Sequence, residues 1–311
     1  MFVRLSKNNL PLQFVLLVLF SLILWGKSFV TGGFSRGSCW LWWAVCLLMA
    51  VGVAFMVRRQ QVSRNPGMQG LLFLCIAVPL TGTEYLPQTW VYPLFLLSFY
   101  YIFNMYGKDK PYPDIFNAAF FWSAATIFLP DLFFTMPCLL LVLLAYAAGD
   151  KHSWLSSLFG MGVPYLFLAA YDFLSGNSLL QDNMTRIMVF GLPDFSSMAP
   201  IPGILLLGCV TMALLSLFSL HKFLQDIEMT ERRKSSAMTT IFIYLLVFFL
   251  FSAGRVPASH WFPLFFPVAF FCTKFIVYTH QAVLKEVIFI LLLALSVSGV
   301  YINSSVWPGF F

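Results

Sequence analysis

The stretch Cys39-Trp-Leu-Trp-Trp-Ala-Val-Cys-Leu-Leu-Met-Ala-Val-Gly-Val-Ala-Phe-Met-Val-Arg-Arg59 holds nineteen uncharged, mostly apolar residues and then two arginines. A helix that crosses the hydrocarbon core of a bilayer needs roughly 20 such residues. Basic residues gather at its cytoplasmic end. The segment therefore reads as a membrane span whose C-terminal end faces the cytoplasm.

Working outward, the same pattern recurs. Apolar runs fall at 10–26, 39–57, 68–82, 88–106, 114–129, 131–148, 153–173, 198–221, 237–253, 259–279 and 284–302. Each is apolar all round, as a helix packed in lipid or inside a bundle must be. The expected fold is all-α: one polytopic transmembrane helical bundle over residues 1–311 with about eleven spans. Prolines 79, 93, 137 and 164 fall inside these runs, where neighbouring helices can accommodate kinks.

Composition agrees. Hydrophobic residues make up 60% of the 311, charged residues 10%, and the mean hydropathy is +0.86. Soluble domains carry roughly 25% charged residues, so a water-soluble core is excluded and little chain remains for a soluble domain. The pI near 9.0 does not imply nucleic-acid binding, because the basic residues are scattered loop anchors. The six cysteines lie in or beside apolar runs without a CxxC pair, which suggests buried small hydrophobes and neither disulfides nor zinc. Arg4 and Lys7 precede Leu10–Trp25, which lacks a small-residue cleavage site, so that run is expected to be retained as the first span.

Charge alternation sets the orientation. With the N-terminus inside, thirteen of the 18 lysines and arginines fall in cytoplasmic segments. Four (Lys27, Arg36, Arg186, Arg255) fall outside, and Lys274 lies within the tenth span, from which snorkelling to the interface is expected. The positive-inside rule thus favours N-in and C-out. The long outer segment 171–200 contains an apolar stretch, Ile187–Asp194, too short to span; it reads as a re-entrant or interfacial helix. The cytoplasmic loop 222–236 mixes acids and bases and reads as a solvated helical extension.

The outer charges are the functional candidates, since insertion does not explain them. Glu84 sits in the tight turn Leu80-Thr-Gly-Thr-Glu-Tyr-Leu-Pro87, where a carboxylate could act as a base or hold a divalent cation. Asp172 lies beside Tyr171 at an outer span end and is the second catalytic candidate. Asp131, after Pro130, is accounted for as an N-cap. Arg255 and His260 share the mouth of two spans; arginine suits a phosphate, and histidine titrates near neutrality. With Arg186, they form the expected phosphate- or lipid-binding set. No metal-ligand cluster is read, and no Walker, HExxH or GxSxG motif is present.

Two resemblances attach to these residues. Leu5-Ser-Lys-Asn-Asn-Leu-Pro-Leu-Gln-Phe14, Asp114-Ile-Phe-Asn-Ala-Ala-Phe-Phe-Trp-Ser-Ala-Ala125 and Pro263–Lys274 resemble a family of uncharacterised bacterial inner-membrane proteins. The run from Arg58 to Leu174 resembles the C-type membrane glycosyltransferases that use polyprenyl-phosphate sugars, with Glu84 ending a short span, a helix pair over Asp114–Pro130, and Pro164 beyond a basic loop. Arg255–Pro267 is similar to the segment in which those enzymes hold the lipid phosphate. The resemblance implies that Glu84 meets the sugar or a metal and Arg255 the phosphate. The chain departs from that family in its first outer loop, Lys27–Gly37, which contains no Asp or Glu where the catalytic carboxylate belongs. Either another acid acts in its place or the scaffold is retained without the chemistry.

Three functional expectations follow. The first is a glycosyltransferase-like protein of cell-envelope assembly in the bacterial inner membrane, handling a lipid-linked sugar or polyprenyl phosphate at the outer leaflet. The second is a non-catalytic scaffold or subunit of an envelope complex. The third is a lipid or solute transporter, disfavoured by the lack of titratable groups at mid-membrane. Expected partners are membrane lipids, a polyprenyl-phosphate-linked sugar and envelope-complex subunits, with no nucleic acid.

Overall fold

The computed structural model describes residues 10–31, 37–61, 65–81, 91–146, 150–176, 178–186, 200–223, 229–252, 258–278 and 281–303. Among the described residues there are helices and turns and no strand. In chain order the helices are α1 (Leu10–Thr31), α2 (Gly37–Arg59), α3 (Pro66–Thr81), α4 (Tyr92–Asn104), α5 (Tyr112–Phe128), α6 (Pro137–Ala145), α7 (Lys151–Ser175), α8 (Leu179–Arg186), α9 (Pro200–Phe223), α10 (Met229–Ser252), α11 (Phe262–Tyr278) and α12 (Ala282–Asn303). Short 3-10 segments, Pro130–Thr135 and Ala258–Trp261, lead into α6 and α11.

Each apolar run of the sequence overlaps a helix, although the run 131–148 divides into a 3-10 segment and the nine-residue α6. Among the described residues, five helices contain stretches long and apolar enough to cross a membrane: Leu12–Phe29, Trp40–Arg59, Lys151–Ser175, Met229–Ser252 and Val283–Ile302. Their outward faces are greasy: Leu48, Phe55, Leu166 and Phe167 are each at least 60% exposed. Such faces suit lipid and not water. The fold is that of a multi-pass helical membrane protein. Others are shorter: the sixteen residues of α3 rise only about 24 Å.

The chain groups into two compact units interleaved in sequence, the first comprising 1–87, 196–226 and 265–311 and the second 88–195 and 227–264. In the first, α3 is the central helix: every residue from Gly67 to Thr81 is buried, with α1, α2, α9 and α12 packed around it. Close approach to α2 depends on Gly70, where a Cβ would sit 2.6 Å from the Ala50 carbonyl oxygen. Small residues at such crossings let backbones meet and gain dispersion contacts, the main source of helix association in lipid.

In the second unit, α5 packs between α4 and α7. Serine hydroxyls join these helices: Ser98 donates to the Ala118 carbonyl at 2.7 Å, Ser123 to that of Met161 at 2.6 Å, and Ser156 to that of Tyr112 at 2.7 Å. Gly160 lets α7 approach α5, since a Cβ there would lie 2.5 Å from the Phe116 carbonyl oxygen. α10 lies along α6.

Several expectations need revision. Pro79 and Pro164 do lie inside helices, but Pro93 and Pro137 occupy the first turns of α4 and α6, where a missing N–H costs nothing. The 222–236 loop is not uniformly solvated: Glu231, Lys234 and Ser235 are buried, whereas Arg232 and Arg233 are exposed. The reason is periodicity, because 231, 234, 235 and 238 continue the buried stripe that runs down α10. Lys274 does not snorkel. It is 2% exposed, with its ammonium 5.2 Å from the Phe270 ring and 5.6 Å from the Tyr278 ring, one turn away on either side. The expected re-entrant stretch Ile187–Asp194 lies outside the described residues. Cys46, Cys75, Cys138, Cys209 and Cys272 are buried free thiols.

Candidate functional site

The site is built on the turn Pro130–Thr135 at the end of α5. Pro130 takes the first position of this turn and Leu129 caps it, which puts Asp131 inside the first turn. The N-cap role expected for Asp131 is therefore not what it does. Its carboxylate Oδ2 lies 3.2 Å from Nδ1 of His260, a residue 129 positions away on the turn that opens α11. The His260 side chain is 9% exposed and that of Asp131 22%.

Several neighbours hold the turn in place. The Trp122 indole N–H donates to the Thr135 hydroxyl at 2.9 Å, and that hydroxyl donates to the Leu132 carbonyl at 2.6 Å. The Tyr244 hydroxyl of α10 donates to the Phe134 carbonyl at 2.6 Å. Tyr165 of α7 meets the Phe133 ring edge-on at 5.8 Å and shares a 3.0 Å hydrogen bond with Thr126. The helix α8 also packs against the turn, with the Asn183 amide donating to the Ile127 carbonyl at 3.1 Å. That carbonyl belongs to the last turn of α5, where helical acceptors lack intrahelical partners.

His260 is fixed just as firmly. The next residue, Trp261, stacks on Phe249 of α10 with centroids 5.1 Å apart, and Phe262 stacks on Tyr92 of α4 at 4.0 Å and 4°. Well-oriented aromatic pairs contribute about 0.5–1.5 kcal/mol each beyond simple burial. A carboxylate only accepts hydrogen bonds, so the imidazole must carry its proton on Nδ1.

The remaining candidates fall as follows. Asp172 is in the last turns of α7, and its Oδ2 accepts the Leu180 N–H at 2.6 Å. It thereby ties α7 to the start of α8 across Gly176, which adopts φ +68°. Its Oδ1 is buried without a hydrogen-bond partner, and no hydrogen bond links Asp172 to the Asp131–His260 pair. Arg186 is the final residue of α8, with its side chain outside the described residues. Glu84 and Arg255 also lie outside them. Arg255 precedes His260 by five residues, a tether of at most about 18 Å.

Sequence reading missed the pair itself. The available signal was that Asp131 and His260 both start proline-flanked aromatic segments on the same expected face. Pro130 at the first position was a further sign that Asp131 sits beyond the cap. Among the described residues no group of three or more His, Cys, Asp or Glu side chains is placed to hold a metal ion. No family model, curated protein or solved structure matches the chain.

Proposed function

We propose that this chain is a glycosyltransferase-like protein of cell-envelope assembly in the bacterial inner membrane. In this reading it has about eleven spans, with the N-terminus in the cytoplasm and the C-terminus outside. Its substrate is a sugar carried on a polyprenyl phosphate at the outer leaflet. The observation that carries the reading is the Asp131–His260 pair, a histidine oriented by a carboxylate on a turn that four helices hold rigid. Such a pair supplies the acid–base function that the acid-free first outer loop lacks.

The chemistry is a displacement at the anomeric carbon. His260 Nε2 takes the proton of an acceptor hydroxyl as its oxygen bonds to that carbon. The bond from carbon to phosphate oxygen breaks, and polyprenyl phosphate leaves with the electron pair. Asp131 holds the ring and stabilises the imidazolium that forms. Arg255 binds the departing phosphate and Glu84 orients the sugar or a divalent cation. Asp172 acts as a positioning residue through α8.

Lipid analysis tests this reading. Cells lacking the chain should accumulate a polyprenyl-phosphate-linked sugar, measured by mass spectrometry of lipid extracts. Wild-type protein should clear it, whereas Asp131→Asn protein at equal abundance should not. An unchanged lipid pool in the deletion strain would refute the reading, and full complementation by Asp131→Asn would favour the scaffold.

A further inference from the structure

A groove in the first unit has a volume of about 260 Å³ and is walled by Phe20 of α1, Met68 and Leu71 of α3, and Phe289 and Leu293 of α12. Gln13 is the one polar side chain among its lining residues. Drug-sized polar ligands occupy clefts of about 300–1,000 Å³ with several convergent polar groups. One amide cannot orient a sugar or an ionic solute, so the lining excludes both.

The groove has direction. Gln13 and Gly67 mark one end, in the first turns of α1 and α3, and Ile23 marks the other. Ten residues of α1 separate Gln13 from Ile23, a rise of roughly 15 Å. That is half of the roughly 30 Å hydrocarbon core, the depth of one leaflet. Leu19 and Ile23 on its rim are 53% and 51% exposed, so it opens on the surface that faces lipid.

Cations stand at the Gln13 end. α2 finishes there at Arg58 and Arg59, both exposed, before the short connection to Gly67. Lys285 lies one turn before Phe289 on α12. Glu286 beside it is an acid, so the three cations and this acid leave a positive excess among these described residues. Guanidinium groups engage phosphate oxygens with paired hydrogen bonds.

We propose that this groove binds one acyl chain of an anionic glycerophospholipid, with the headgroup phosphate held by Arg58, Arg59 and Lys285. The charge at its end and its one-leaflet length select this occupant. The site is independent of the acid–base pair and of any substrate assigned to it.

Native mass spectrometry of the full chain in mild detergent tests the proposal, with phosphatidylglycerol and phosphatidylethanolamine of matched chains as probes. The expected result is one retained phosphatidylglycerol per chain, favoured at least fivefold. The triple variant Arg58→Gln, Arg59→Gln, Lys285→Gln should lose the preference and keep weak retention of both lipids. Leu19→Trp, at an exposed rim position, should obstruct the groove and lose both. Equal retention of the two lipids by wild-type protein would overturn the proposal. So would a preference that survives the triple substitution, or displacement of phosphatidylglycerol by equimolar polyprenyl phosphate. Should Leu19→Trp fail to fold, the wild-type comparison alone still decides the outcome.

Discussion

Nδ1 of His260 and Oδ2 of Asp131 meet at 3.2 Å although 129 residues separate them in sequence. The contact joins the turn after α5 to the turn before α11 within one compact unit. Besides their mutual contact, each residue is supported from its own side. Asp131 is held by the hydrogen bonds of Trp122, Thr135 and Tyr244 around its turn, and His260 by the stacked rings of Trp261 and Phe262. A pair oriented from both sides in this way is suited to proton transfer, because its geometry does not have to form during the reaction.

Trp122→Phe removes the indole donor to Thr135 and keeps the ring contacts with Phe95 and Phe99. Thr135 retains its bond to Leu132, so the cost should be about 1 kcal/mol. Thermal unfolding in detergent should show a modest loss of stability. Activity should fall with it, because the turn that carries Asp131 loosens.

Gly160 and Gly162 make a paired test on one helix. A Cβ at Gly160 would meet the Phe116 carbonyl oxygen at 2.5 Å, whereas nothing lies within 4 Å of one at Gly162. Gly160→Ala should therefore destabilise by about 1–3 kcal/mol. Gly162→Ala should be neutral or stabilise by up to about 1 kcal/mol through helix propensity. Melting temperatures that move in the same direction for both would contradict this account of how α7 packs on α5.

Topology can be read by labelling. Ser175 at the end of α7 and Ser236 near the start of α10 are both exposed. Single cysteines at these positions should react with impermeant maleimide from opposite faces of the membrane. Reaction from the same face would exclude the eleven-span arrangement.

The helices were legible because each apolar run is long and apolar all round, which periodicity and length alone reveal. Helix beginnings were less so: Pro93 and Pro137 read as kinks inside spans, yet they start α4 and α6. The misjudged charges share one cause. Hydropathy assigns Lys274 and Lys234 to water or the interface, but burial is decided by which helix face meets a neighbour, and both sit on packed faces. Asp131 reads as a local cap in the sequence because the residue it meets in the fold is distant along the chain. Pairing across 129 residues is tertiary information, and a single sequence does not print it.

Arg255 and Glu84 extend the proposed site beyond the pair. Arg255→Ala and Glu84→Gln should each abolish clearance of the lipid-linked sugar, with protein abundance unchanged on immunoblots of membranes. Wild-type clearance in both variants would remove phosphate and sugar recognition from these residues.

The most direct measurement is the rate at which labelled sugar leaves the polyprenyl-phosphate pool in membranes containing wild-type, Asp131→Asn, His260→Gln or doubly substituted protein. Acid–base groups typically contribute about 10²–10⁴-fold, so each single variant should slow transfer at least a hundredfold. The double variant should be little slower than the worse single one, since the two residues act as one unit. Transfer at the wild-type rate in either single variant, or slowing that multiplies in the double, would contradict a working Asp131–His260 pair.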